Sequence, residues 1–163
     1  MMRGPLLACV LLACNSTPSE PAPSEAATTL TPAVLAGKVE VIDAPATGDV
    51  KQVVREAMLA AAARQHRVVV DVGASWCEPC GRFREAAKSG QLDADFPGLT
   101  LLVFDLDRDR ERLHAAGYRS QYIPLLVVPN ADGSASAKRM TGSIKGAGAV
   151  AEMTPRLRAL LTP

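Results

Sequence analysis

Two cysteines three positions apart, in Trp76-Cys77-Glu78-Pro79-Cys80, are the side chains of this chain best placed to do chemistry. They follow the apolar run Arg67-Val68-Val69-Val70-Asp71-Val72-Gly73 and precede an amphipathic stretch, so they are expected where a helix opens after a strand. First-turn amides have no partner within the helix, and the helix dipole places partial positive charge there. Both effects stabilise a thiolate, and thiols so placed have pKa values of about 3.5–7.5 instead of about 8.5. A thiolate at the exposed first position, Cys77, can attack a disulfide, and Cys80, one turn on, can resolve the mixed disulfide. Pro79 is tolerated because first-turn amides need no partner. The other use of such a pair is half of a zinc site, which needs four ligands. The two histidines, His66 and His114, stand at no recognisable metal spacing. No metal site is expected, and both histidines are expected as solvated residues at helix ends.

Periodicity outlines the elements that must hold this pair. Residues 38–43 partly alternate and predict a short first strand. Thr47 or Asp49 can cap a helix whose Val50, Val53, Val54, Ala57, Met58 and Ala61 form one apolar face. Residues 67–73 are β-branched and apolar on both faces apart from Asp71, the pattern of a central strand covered on both sides. After the cysteines, residues 82–89 place Phe83, Ala86 and Ala87 on one side, and Gly90 ends the helix. Residues 99–105 form a second buried strand. Residues 107–117 predict a short charged helix, with Leu113 and Ala116 inward and 108–112 as a solvated face. A strand over 125–128, turn chemistry in Asn130-Ala131-Asp132-Gly133 and a return over 136–141 make an antiparallel hairpin. Residues 147–161 close the chain with a helix carrying Val150, Met153, Leu157, Leu160 and Leu161. The expected class is α/β, a central mixed sheet flanked by helices on both faces.

In this order, the features resemble the thioredoxin superfamily over roughly residues 38–161. Trp76-Cys77-x-x-Cys80 matches its active-site motif. Asp71, six residues before Cys77, falls where thioredoxins carry a buried carboxylate that relays protons for the second cysteine. Tyr118 stands six residues before Pro124, as in the family's tyrosine-to-cis-proline segment, and residues 140–145 resemble the strand end that leads into its last helix. The resemblance implies a thioredoxin-like fold and a redox-active Cys77–Cys80 disulfide as the sole redox group, with no separate cofactor. It also implies Asp71 as proton acceptor, in surroundings where burial disfavours a charged carboxyl. Ile123 and a cis Pro124 would present backbone to an extended substrate segment, with Trp76, Glu78 and Pro79 beside it; Trp76 serves equally as a packing residue.

Glu78-Pro79 between the cysteines resembles ResA-type extracytoplasmic reductases. The compact length resembles the C-terminal domain of DsbD instead, since residues 80–124 leave no room for the insertion of ResA and TlpA domains. Two positions depart from the superfamily. Val103 and Phe104 occupy the strand that carries a lysine near the aspartate in thioredoxins, and Leu125 replaces the threonine after the proline. The relay then rests on Asp71 alone or runs through Glu78 and water.

The other two cysteines, Cys9 and Cys14, lie in the first fifteen residues. Arg3 precedes an apolar run from Pro5 to Ala13, far below the ~18–20 residues a spanning helix needs. It is expected to be a signal peptide, residues 1–13. Leu11-Leu12-Ala13-Cys14 resembles the bacterial lipobox, which implies lipidation of Cys14 as the mature N-terminus. Residues 14–36, with Pro18, Pro21, Pro23 and Pro32 among Ser, Thr, Ala and Glu, are a solvated tether, and 37–163 the folded domain.

The chain has 163 residues, 48% of them apolar, which suits one core and excludes wholesale disorder. Net charge is +1 and aromatics are 4%, without the basic stripe and stacking side chains of a nucleic-acid binder. The expected protein is a monomeric, membrane-tethered oxidoreductase on the periplasmic side of a bacterial membrane. It would reduce disulfide-containing proteins with electrons from a DsbD- or CcdA-like membrane donor. Two alternatives stand beside it: an oxidase or isomerase using the same site, and a non-catalytic or metallochaperone module.

Overall fold

The computed structural model describes residues 37–162; the expected signal peptide, Cys14 and the tether lie outside the described residues. The chain runs β1 (Glu40–Asp43), α1 (Val50–Ala62), β2 (Arg67–Gly73), α2 (Glu78–Lys88), β3 (Leu99–Asp105), α3 (Leu106–Ala115), β4 (Leu125–Pro129), β5 (Ala135–Thr141) and α4 (Ala149–Leu161). Strand order is β1-β3-β2-β4-β5. β1 and β2 both pair in parallel with β3, while β4 runs antiparallel to β2 and β5 antiparallel to β4.

Strand periodicity divides the core. Val68, Val70 and Val72 of β2 face one side, where they pack with Leu102, Phe104, Leu125 and Val127 under Val50, Val54 and Ala61 of α1 and Leu113 of α3. Val69 faces the other side, where Leu101 and Leu126 meet Phe83, Ala86 and Ala87 of α2 and Met153 and Leu157 of α4. Each Val or Leu fully buried this way contributes about 1.5–3 kcal/mol relative to exposure. The architecture is thioredoxin-like, with a five-stranded mixed sheet and four helices on its two faces.

Local chemistry sets the helix ends. Asp49, not Thr47, caps α1, its Oδ1 accepting the Gln52 amide at 2.9 Å. Asp105 caps α3 by accepting the amides of Asp107 and Arg108. Gly90 takes φ 83° after α2, a conformation glycine adopts without penalty. No helix of the described residues is long and apolar enough to cross a membrane.

Two expectations fail. His66 is not solvated: its side chain is 6% exposed, beneath Gly37, with Nδ1 3.3 Å from the Thr100 hydroxyl. Residues 108–112 are not a uniformly solvated face either, because the Asp109 side chain is fully buried. Arg108 donates to it through Nε and Nη2, both at 2.8 Å, and Arg112 through Nε at 3.1 Å. A carboxylate so bonded tolerates burial that an unpaired one would not.

Candidate active site

The cysteines lie where β2 ends and α2 begins. Cys77 is the residue that caps α2, and Glu78 and Pro79 occupy its first turn, where a proline costs no hydrogen bond. Cys77 and Cys80 form a disulfide with an S–S distance of 2.02 Å. The Cys80 amide points at Cys77 Sγ, 3.4 Å away, so a first-turn amide is aimed at the first sulfur. Cys77 is 5% exposed and Cys80 1%. The expectation of an exposed first cysteine therefore holds only relative to the second; what stands in solvent is Trp76 beside it, at 66%.

The sulfurs pack with Ala74 and, from across the site, with Ile123. The Ile123–Pro124 peptide bond is cis, and Pro124 is buried at the entry to β4. The Pro124 carbonyl accepts the Gly142 amide at 2.8 Å, which joins this turn to the end of β5. Among the described residues no backbone group bonds the N–H or C=O of Ile123. Tyr122 and Ile144 are exposed on this side, and Gly142 lies against Tyr122. Trp76 and Tyr122, next in the chain to Cys77 and Ile123, are thus exposed apolar side chains beside the disulfide.

Trp76 is held as well as exposed. Its Nε1 donates to Asp107 Oδ2 at 2.8 Å, tying the cysteine loop to the first turn of α3. Glu78 is exposed and accepts from Arg82 Nε at 2.7 Å. That hydrogen bond, helped by the Arg82 charge, the Gly146 amide and Lys145, holds the Glu78 carboxyl below its ordinary range.

Asp71 sits on the α2 side of β2, 1% exposed. β3 offers Asp71 no lysine, as expected, but α2 brings it a cation that the sequence reading did not foresee. Arg84, one turn after Cys80 on α2, donates Nε to Asp71 Oδ2 at 2.7 Å and Nη2 to Oδ1 at 3.2 Å. The reason is geometric: α2 packs over the face of β2 that carries Asp71 and places Arg84 against it. Burial works against the Arg84 cation, but the charge and hydrogen bonds of Asp71 outweigh it and push the Arg84 pKa upward. A methyl added at Gly73 would overlap Arg84 Nη2 and come within 2.9 Å of Cys80 Sγ, so guanidinium and sulfur line one small space.

The structure thus brings together Cys77, Cys80, Trp76, Glu78, Pro79, Ile123 and Pro124 around the disulfide, with Asp71 beneath. Sequence reasoning missed Arg84, Asp107, Tyr122 and Ile144. The signal for Arg84 was its position, one turn beyond Cys80 and beside Phe83 on a helix with its apolar face to the sheet. Among the described residues, no three His, Cys, Asp or Glu side chains converge to hold a metal ion. The chemistry this arrangement can perform is that of two sulfurs able to open and close on each other.

No protein-family model matches the chain, and no curated protein sequence matches it. Solved structures similar to it include thioredoxins. A poplar thioredoxin h is 22% identical, over 78% of this chain and 99% of that one, with TM-score 0.48. The thioredoxin of Trichomonas vaginalis is 19% identical, over 63% of this chain and 85% of its own, with TM-score 0.43. The oxidised thioredoxin of Plasmodium falciparum is 18% identical, over 74% and 99%, with TM-score 0.43.

Proposed function

We propose that this protein is a thiol–disulfide oxidoreductase that reduces protein disulfides through Cys77 and Cys80. The observation that carries the reading is the Cys77–Cys80 disulfide at the N-terminus of α2, faced by Ile123 and with the exposed side chains of Trp76 and Tyr122 beside it. In the dithiol form, the Cys77 thiolate attacks one sulfur of the substrate disulfide, and the other sulfur leaves as a thiolate and takes a proton. Cys80 passes its proton to Asp71 and attacks Cys77 Sγ, which releases the second substrate thiol and closes the disulfide. One substrate disulfide becomes two thiols, and the chain gives up two electrons and two protons. No cofactor beyond the two sulfurs takes part.

Substrate enters as an extended segment. The N–H and C=O of Ile123 offer it strand-like hydrogen bonds, while Trp76 and Tyr122 flank it; Pro79, buried in the first turn of α2, does not reach it. Glu78 gives the mouth a negative charge.

The reading extends to the cell. With Cys14 lipidated, the monomeric domain is tethered on the periplasmic side of a bacterial membrane, resembling DsbD C-terminal and ResA-type domains in its task. A reductase there must be recharged, and a DsbD- or CcdA-like membrane donor supplies the electrons. Nucleic acid is not a partner.

An insulin-reduction assay with the Cys77→Ser and Cys80→Ser variants tests the reaction. Cys77→Ser abolishes reduction, and Cys80→Ser accumulates a mixed disulfide through Cys77. Failure to trap any partner would return the chain to the non-catalytic or metallochaperone alternative. The reduction potential tests direction: a value near the −270 mV of thioredoxin fits a reductase, whereas one near the −120 mV of DsbA makes the chain an oxidase.

A further inference from the structure

We propose that Arg84 is a positioning residue for this exchange reaction, its guanidinium fixing Asp71 and supplying the positive charge that favours the Cys80 thiolate. The inference rests on the reading of the site as a thiol–disulfide exchanger and adds to it a residue outside the cysteine motif.

The geometry is that of a built-in cation. Arg84 turns toward the sheet, its side chain 19% exposed, and spans both oxygens of Asp71, whose side chain is 2% exposed. Paired N–H donors fix the orientation of a carboxylate as a single point charge does not. Gly73 leaves the gap through which Arg84 Nη2 and Cys80 Sγ share one space. Resolution requires Cys80 to lose its proton at a position 1% exposed, where water gives a thiolate little help. A neighbouring guanidinium supplies that help.

The surrounding charges leave Arg84 as the cation that bonds Asp71. Asp43 on β1 and Asp71 on β2 stand opposite Val103 from its two sides, and Asp105 on β3 stands opposite Gly73. Asp71, Asp43 and Asp105 all act on Arg84. Asp43 is exposed and Asp105 caps α3, and Arg108 acts on both, so Asp71 is the buried negative charge beside which a Cys80 thiolate would form. The remaining charges near the site have partners of their own. Glu78 pairs with Arg82, with Lys145 acting on it from the β5–α4 loop, and Asp107 of α3 bonds Trp76. Glu152 and Arg156 of α4 bond each other. Without Arg84, the local field opposes the very deprotonation that resolution needs.

The test is an NMR titration of full-length, 13Cβ-cysteine-labelled Cys77→Ser protein, in which the Cys80 resonance is followed directly. Adding Arg84→Met should raise the Cys80 midpoint by about one to three pH units. Adding Asp71→Asn instead should lower it, and Arg84→Lys should stay closer to the parent than Arg84→Met. A purely structural Arg84 would change the melting temperature and leave the Cys80 midpoint in place, which would overturn the proposal. If Arg84→Met does not fold, Asp71→Asn decides: a Cys80 midpoint that stays or rises overturns the role of the cation. Insulin reduction by the unmutated chain separates the two readings. An active chain whose Cys80 ignores Arg84 loses this inference alone, and an inactive chain loses the exchange reading whatever the titration shows.

Discussion

Asp71 and Asp109 are both 1% exposed and both paired with arginine, yet they lie in regions built for different ends. Asp109 is saturated. It takes Arg108 and Arg112 together with the Asp105 amide, and Arg112 goes on to the carbonyls of Pro45, Thr47 and Gly48 and over the Phe104 ring. Asp109 thus fixes its two arginines within α3, and Arg112 in turn joins α3 to the β1–α1 loop. Asp71 has one guanidinium, shared with the space around Cys80 Sγ. A buried carboxylate with all its partners holds chain segments in place. One with a single partner and a sulfur for a neighbour is available to chemistry.

The sharpest way to break this contrast is Asp109→Asn. Leaving two arginines short of their anion should cost about 3–5 kcal/mol, read as a fall in the urea midpoint. The insulin-reduction rate of the folded fraction should not change; a slowed rate would merge the two regions into one. Gly73→Ala strikes the other side. The added methyl must push Arg84 or Cys80 aside, so it should cost about 1–3 kcal/mol and slow exchange as well. Stability lost with full activity would show that the space beside Cys80 plays no part in the reaction.

Acid provides a milder probe. Burial by itself would raise the Asp109 carboxyl, but the hydrogen bonds and charges of Arg108 and Arg112 outweigh it and hold the carboxyl below its ordinary range. A carboxyl depressed in the folded state stabilises fully above its unfolded pKa of about 3.9. That contribution is lost as pH falls through the lower, folded value. Urea midpoints measured through this window should therefore fall more steeply for the natural chain than for Asp109→Asn. Equal slopes would mean that the arginines do not hold the charge. The smallest effect is expected from Trp76→Phe, which removes the Nε1 bond to Asp107 that links the two regions. An exposed hydrogen bond is worth about 0.5 kcal/mol, so the urea midpoint should barely move. A loss comparable to that of Asp109→Asn would mean that the cysteine loop and α3 are one structural unit.

What the sequence made legible follows the same division. β2 and β3 have the bounds expected of them, because strands buried on both faces leave an unbroken apolar signature. The cysteine pair and its place at a helix start were equally plain, since spacing and local order carry that information. Arg84 was not. Its pairing with Asp71 depends on how α2 is rotated over the sheet, and only its place one turn beyond Cys80, beside Phe83, hints at that rotation. Asp109 was misjudged because Arg108, Arg110 and Arg112 around it look like solvated charge. Its spacing of four from Leu113 had already placed it on the inward face.

The parallel run of β1, β2 and β3 also gives the domain two poles. The Gly37 carbonyl accepts the Gly98 amide at 3.3 Å, and the Gly98 carbonyl accepts the Arg67 amide at 2.8 Å. Gly37 therefore sits where β2 and β3 begin, and the cysteines sit where β2 ends. Under the proposed tether, the domain would be held from the pole opposite its sulfurs, and the reactive end would face away from the point of attachment.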